Sequence, residues 1–196
     1  MSGSRIPVYV RLIALVSLAS LALVGCTTLG VSGLKDLTKT GELSANLKND
    51  LRSGSAVHKL IAGDAKLTVT YWSTLRMDKW KAGISKPLTF SIAGVAAHGS
   101  KRNVFLKQAS MDTVVYGPFG TIESPQLRSD TSSVKPGYLI TRPYSYSQVF
   151  QIPPIDKTAT SVTLSFAFEV LIETGVGTGK YVKQTTNDQI TVAITQ

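Results

Sequence analysis

The stretch 160–174, TSVTLSFAFEVLIET, places Val162, Leu164, Phe166, Phe168 and Val170 on one parity. Thr163, Ser165 and Glu169 fall on the other. A period of two kept over this length predicts a long strand with one face buried and one face wet. A strand of that kind must find both neighbours in a sheet and a second layer to cover its apolar face. The same period returns in 65–72, where Leu67, Val69 and Tyr71 alternate with Lys66, Thr68 and Thr70. It returns again in 87–95 with Leu88, Phe90 and Ile92.

Further strands are expected in 103–116, as two elements or as one interrupted near Ala109-Ser110. Others are expected in 138–141 and 147–152, on either side of Pro143. The glycines of 175–179 suit a hairpin loop, after which 180–185 and 189–194 read as two strands joined by a turn at Thr186-Asn187-Asp188. Residues 117–137 hold the longest stretch poor in pattern, and long loops of this kind tend to be functional or disordered. About seven to nine short strands with little helix predict a mainly β fold. The expected architecture is an antiparallel β-sandwich of immunoglobulin-like or transthyretin-like shape, over 61–196. An open barrel is the competing arrangement.

The start of the chain has a different character. Arg5 and Arg11 precede LIALVSLASLALVG, residues 12–25, which carry no charge. This is the layout of a secretory signal. The run is shorter than the ~20 apolar residues a spanning helix needs. The only cysteine in the chain, Cys26, follows immediately. Leu23-Val24-Gly25-Cys26 resembles the lipobox of bacterial lipoproteins. The resemblance covers residues 1–26 and implies cleavage before Cys26, with a diacylglycerol on its sulfur and, in many such proteins, an acylated amine. Buried acyl carbons contribute about 0.8 kcal/mol each, enough for a durable anchor when two or three chains are present. Thr27, where an Asp would favour inner-membrane retention in enteric-type bacteria, implies the outer membrane facing the periplasm if the source is Gram-negative.

The expected organisation is thus a signal peptide at 1–25 and a segment at 26–60 that begins with the lipidated cysteine. Residues 27–41 are rich in Thr, Gly and Ser and suit a flexible tether. Leu43, Leu47 and Leu51 recur every four residues, so 42–52 is read as a short helix or irregular segment. Removing residues 1–25 takes away two of the 21 basic residues and none of the 12 acidic ones, so the mature part stays basic. With one cysteine no internal disulfide can form, and the core must hold the fold.

Chemistry is thinly supplied. His58 and His98 are the only histidines and neither lies in a metal motif. There is no H-E-x-x-H, C-x-x-C or G-x-S-x-G. The 175–179 glycines precede a strand pattern, whereas a dinucleotide loop must open a helix. No enzyme, metal or cofactor is expected. Two groups combine aromatic and basic side chains: Trp72, Arg76 and Trp80, and then Tyr138, Arg142, Tyr144 and Tyr146. Such residues serve as rigid contact points for partners or, just as well, pack in strands. An exported location argues against nucleic acid. The reading is an envelope lipoprotein whose sandwich binds another envelope protein or supports assembly of an envelope complex. Small lipoproteins of type VI secretion systems are similar in plan, by architecture and not by motif. The alternative is a lipoprotein that binds glycan, cell wall or a small ligand through 117–146.

Overall fold

A computed structural model describes residues 48–97 and 100–196. The signal peptide, Cys26, the 27–41 tether, Leu43, Leu47 and His98 lie outside these residues. The strands are β1 (Ser55–Ala62), β2 (Ala65–Trp72), β3 (Lys86–Ala96), β4 (Val104–Gly117), β5 (Gly120–Ile122), β6 (Arg128–Thr131), β7 (Tyr138–Leu139), β8 (Tyr146–Ile152), β9 (Ser161–Glu173) and β10 (Tyr181–Ala193). A 3-10 turn, Met77–Lys79, lies between β2 and β3.

The strands form two antiparallel sheets packed face to face, as a β-sandwich. The first has four strands in the order β1-β2-β3-β8. The second runs β10-β9-β4-β5, with β6 and β7 also pairing against β4. The alternation read in the sequence explains the core. From β9, Val162, Leu164, Phe166, Phe168, Val170 and Ile172 are all buried, and they meet Leu67, Val69, Tyr71, Leu88, Phe90 and Ile92 of the other sheet. Phe90 lies 5.4 Å from Phe168, and Tyr71 lies 4.8 Å from Phe166, measured between ring centroids. Fully burying one such side chain stabilises by about 1.5–3 kcal/mol, so these layers carry much of the fold's hydrophobic term.

Four details correct the sequence expectation. First, 186–188 is no turn: β10 is one strand, with Thr186, Asn187 and Asp188 opposite Phe168, Ala167 and Phe166. Polar contacts of Asp188 override its weak strand preference. Second, β4 is also one strand, and its irregularity sits at Lys107, where the pairing with β9 shifts register between Leu106 and Gln108. The bulge flips parity, so Val104 and Leu106 point inward before it and Ala109, Met111 and Val115 after it.

Third, the sheet starts before residue 61. Residues 50–53 form a turn, the irregular alternative for the described part of 42–52, Leu51 is fully buried, and β1 begins at Ser55. Its pattern was obscured because Val57 and Ile61 are apolar yet face outward. Fourth, 117–137 is not structure-poor throughout, since it contributes β5 and β6 to the edge of β4. Gly137 lets its segment close on the bulge, because a Cβ there would stand 2.6 Å from the Leu106 carbonyl oxygen.

Candidate docking face

The four strands of the first sheet contain no Asp or Glu. Among the described residues, the carboxylates borne on strands all belong to the second sheet: Asp112, Asp130, Glu169, Glu173 and Asp188. The outward residues of β1, β2 and β3 form cross-strand rows. Ile61 pairs with Lys66, and Lys66 with Val95; Lys59 pairs with Thr68; Val57 pairs with Thr70. Val57 is 58% exposed and Ile61 71%. Branched apolar side chains held this far out add nothing to the core.

Arg142 completes the face. Its backbone N–H donates to the Gly94 carbonyl at 3.0 Å, which fastens the segment after β7 to β3. Its Nη2 donates to Thr68 Oγ1 at 3.3 Å, laying the guanidinium over β2. Lys59, Ile61, Lys66, Thr68, Val95 and Arg142 line a groove of about 440 Å³. Asp64 in the β1–β2 turn is ion-paired with Arg102. The groove thus combines cations with exposed aliphatic surface, a pairing that suits an acidic surface containing apolar side chains.

The residues singled out in the sequence divide between this face and the interior. Trp72 is half-buried on the same outward face, in a row with Ser55, Thr89 and Val149. Arg142 is at the groove. Tyr144 is exposed in the turn beyond it, its N–H donating to the Thr141 carbonyl at 2.9 Å. Arg76 is exposed and paired with Asp78 at 3.1 Å. Trp80 is a correction: it is fully buried, and its Nε1 donates to Ser73 Oγ at 3.1 Å, so it is unavailable to a partner.

Tyr138 and Tyr146 are also mainly internal contacts. Their rings stack at 4.2 Å and 5°, and the Tyr146 hydroxyl donates to Asp130 Oδ2 at 2.7 Å. Tyr146 belongs to the first sheet and Asp130 to the second, so this bond ties the sheets along one open side. Burial, and then Asp130, hold the Tyr146 hydroxyl above its usual pKa.

Sequence reasoning missed the matching tie at the other side. Asp188 of β10 accepts from the Tyr71 hydroxyl at 2.8 Å, and His58 Nδ1 lies 2.8 Å from the same oxygen. A carboxylate can only accept, so Nδ1 carries the hydrogen. The Gln189 N–H gives Asp188 Oδ1 a further bond at 2.8 Å. The available signal was parity: Asp188 shares the inward register of Ile190 and Val192.

Lys86 is buried as well, with Nζ donating to the carbonyls of Lys81, Ala82 and Ile84 at 3.0, 3.3 and 2.6 Å. Burial pushes its pKa down to about 8. Among the described residues, no three His, Cys, Asp or Glu converge on a possible metal position, and no helix is long and apolar enough to cross a membrane. No protein-family model matches the chain, and no curated protein matches it by sequence.

Proposed function

We propose that the chain is an envelope lipoprotein, anchored through lipid on Cys26, whose sandwich docks on an acidic, partly apolar surface of another envelope protein. The role is binding or support of an envelope assembly, not catalysis, and in a Gram-negative source Thr27 favours the outer membrane, facing the periplasm. One observation carries the docking part. The strands β1, β2, β3 and β8 carry no carboxylate, and their outer face presents Lys59 and Lys66, with Arg142 laid over it, among exposed Val57, Ile61 and Val95. Charges of one sign on such a face speed encounter with a partner of the opposite sign and exclude partners of like sign.

The test is photocrosslinking in the native host from position 61, with position 187 on the opposite outer face as control. Capture of one envelope protein from position 61 and not from 187 supports the reading. Equal capture from both positions, or from 187 alone, contradicts it. The anchor has its own readout. Cys26→Ser should lose all incorporation of a fatty-acid probe, and persistent labelling would remove the lipid from the account.

A second reading, binding of glycan or cell wall, is favoured by the outer face of the second sheet. Two rows stand side by side there, Ser110-Ala167-Asn187 and Asp112-Ser165-Gln189. With Leu127 overhanging, they line a shallow trough of about 450 Å³. Of the 117–146 region, only Leu127 takes part. Sedimentation with purified cell wall that Asn187→Ala and Gln189→Ala abolish would move the function to this trough.

A further inference from the structure

Phe119 is fully exposed at the tip of the β4–β5 hairpin. The turn is Gly117-Pro118-Phe119-Gly120, closed by pairing of Gly117 with Gly120. Pro118 fixes its own φ, and Gly120 takes a φ of +132°, a conformation that side chains rarely adopt. The ring is therefore held out on a short, constrained support. An aromatic with this exposure gives the fold no burial energy.

Its position within the sandwich is informative. β4 ends beside the start of β9, where Tyr116 pairs with Ser161, and Ser161 pairs with Ala193 at the end of β10. The first described residues, from Lys48, lie at this same end. The Asp50 N–H donates to the Thr191 carbonyl at 2.8 Å, and the Thr191 N–H donates to Asp50 Oδ2 at 2.7 Å. Ile84, 40% exposed, lies in the loop that leads into β3 at this end, where Lys86 pairs with Ile152. Val176, the exposed apolar residue of the β9–β10 loop, stands at the opposite end.

We infer that the Phe119 hairpin is a membrane contact: the ring enters the headgroup–acyl boundary of the bilayer that holds Cys26, and sets the domain on the membrane by this end. The inference rests on the lipoprotein reading for its source of proximity. Residues 27–47 can span at most about 75 Å, so an anchored domain stays within that distance of the bilayer. At such confinement a single aromatic, whose transfer from water is worth roughly tenfold or more in partitioning, suffices to bias orientation. The docking face then runs along the sandwich away from the bilayer, open to a partner.

The experiment uses the mature lipidated chain in phosphatidylethanolamine–phosphatidylglycerol vesicles, with and without dibrominated acyl chains. Phe119→Trp and Val176→Trp are compared with the wild type, which supplies the background of Trp72 and Trp80. Trp at 119 should shift to shorter wavelength and lose about half or more of its added emission to the brominated lipid. Trp at 176 should do neither. Equal behaviour at the two positions, or emission from position 119 that only an aqueous quencher reduces, overturns the inference and leaves Phe119 facing water or a protein. The mass of the same sample reports whether Cys26 carries lipid, so failure of the anchor is read separately from failure of insertion.

Discussion

The Tyr71 hydroxyl lies 2.8 Å from Asp188 Oδ2 and joins the two sheets at the β1–β10 side, where His58 meets the same carboxylate. The Asp188 side chain is only 11% exposed, so its bonds are made largely out of water. Removing the Tyr71 hydroxyl leaves Asp188 two donors. Removing Asp188 strands both a buried hydroxyl and the His58 N–H. Tyr71→Phe should therefore cost about 1 kcal/mol and Asp188→Ala about 2–3 kcal/mol in urea unfolding. Equal costs would mean that the carboxylate's other donors contribute nothing.

The same bond fixes a pH dependence. Burial, then the charge of Asp188, raise the pKa of Tyr71 above its ordinary 10.0. The folded state keeps this proton at a pH where the unfolded chain releases it. Stability is thus fully present below pH 10 and declines as pH rises beyond it. Tyr71→Phe should lessen that alkaline decline in a series of thermal melts.

Lys86 works in the opposite direction at lower pH. Its pKa falls from 10.5 to about 8 in the fold. Between those values the unfolded chain binds the extra proton, so stability should rise as pH increases from about 8 toward 10. Lys86→Met should flatten that rise. An unchanged slope in the variant would show that the three carbonyls around Nζ stabilise the charge as well as water does.

Gly137 is a question of space. With a Cβ built 2.6 Å from a backbone oxygen, neither side can yield by a rotamer change. Gly137→Ala should lower stability by about 1–3 kcal/mol, the range of overpacking elsewhere in proteins. A melting temperature like that of the wild type would show that the β7 segment can move off the bulge.

Trp80 and Tyr144 should behave unlike each other. Trp80 is fully buried and bonded through Nε1, so Trp80→Ala should cost about 3–5 kcal/mol. Tyr144 is exposed and has no place in the core, so Tyr144→Ala should stay within about 0.5 kcal/mol. Any loss of partner binding by Tyr144→Ala would then be a loss at the surface itself.

Much of the fold was legible because period two is a geometric signature of one buried face. β2, β3 and β9 lie where their alternation placed them, and β8 lies where a strand was expected beyond Pro143. The misreadings share a cause: tertiary contacts replaced the local rule. Asn187 and Asp188 have turn chemistry, but His58 and Tyr71 hold Asp188 inside a strand. A single extra residue at Lys107 reversed the parity of β4. Outward Val57 and Ile61 hid β1 because they look like core.

The candidate face was less legible than the fold. Composition marked Trp72, Arg142 and Tyr144, which are on or next to it. It also marked Trp80, Tyr138 and Tyr146, which aromatic content alone could not separate from packing. Lys59 and Lys66 became visible only through strand register, since they are distant from Arg142 in sequence. The segregation of carboxylates into one sheet likewise needs the strand order before it can be seen.

The central claim is that this basic, carboxylate-free face holds the partner. Its most direct measurement is the dissociation constant of the captured envelope protein for the wild type and for Lys59→Glu/Lys66→Glu/Arg142→Glu, with thermal melts confirming that the variant is folded. The account predicts at least a tenfold weaker constant for the variant, and a wild-type constant that weakens with added salt. An unchanged constant in a folded variant would contradict it.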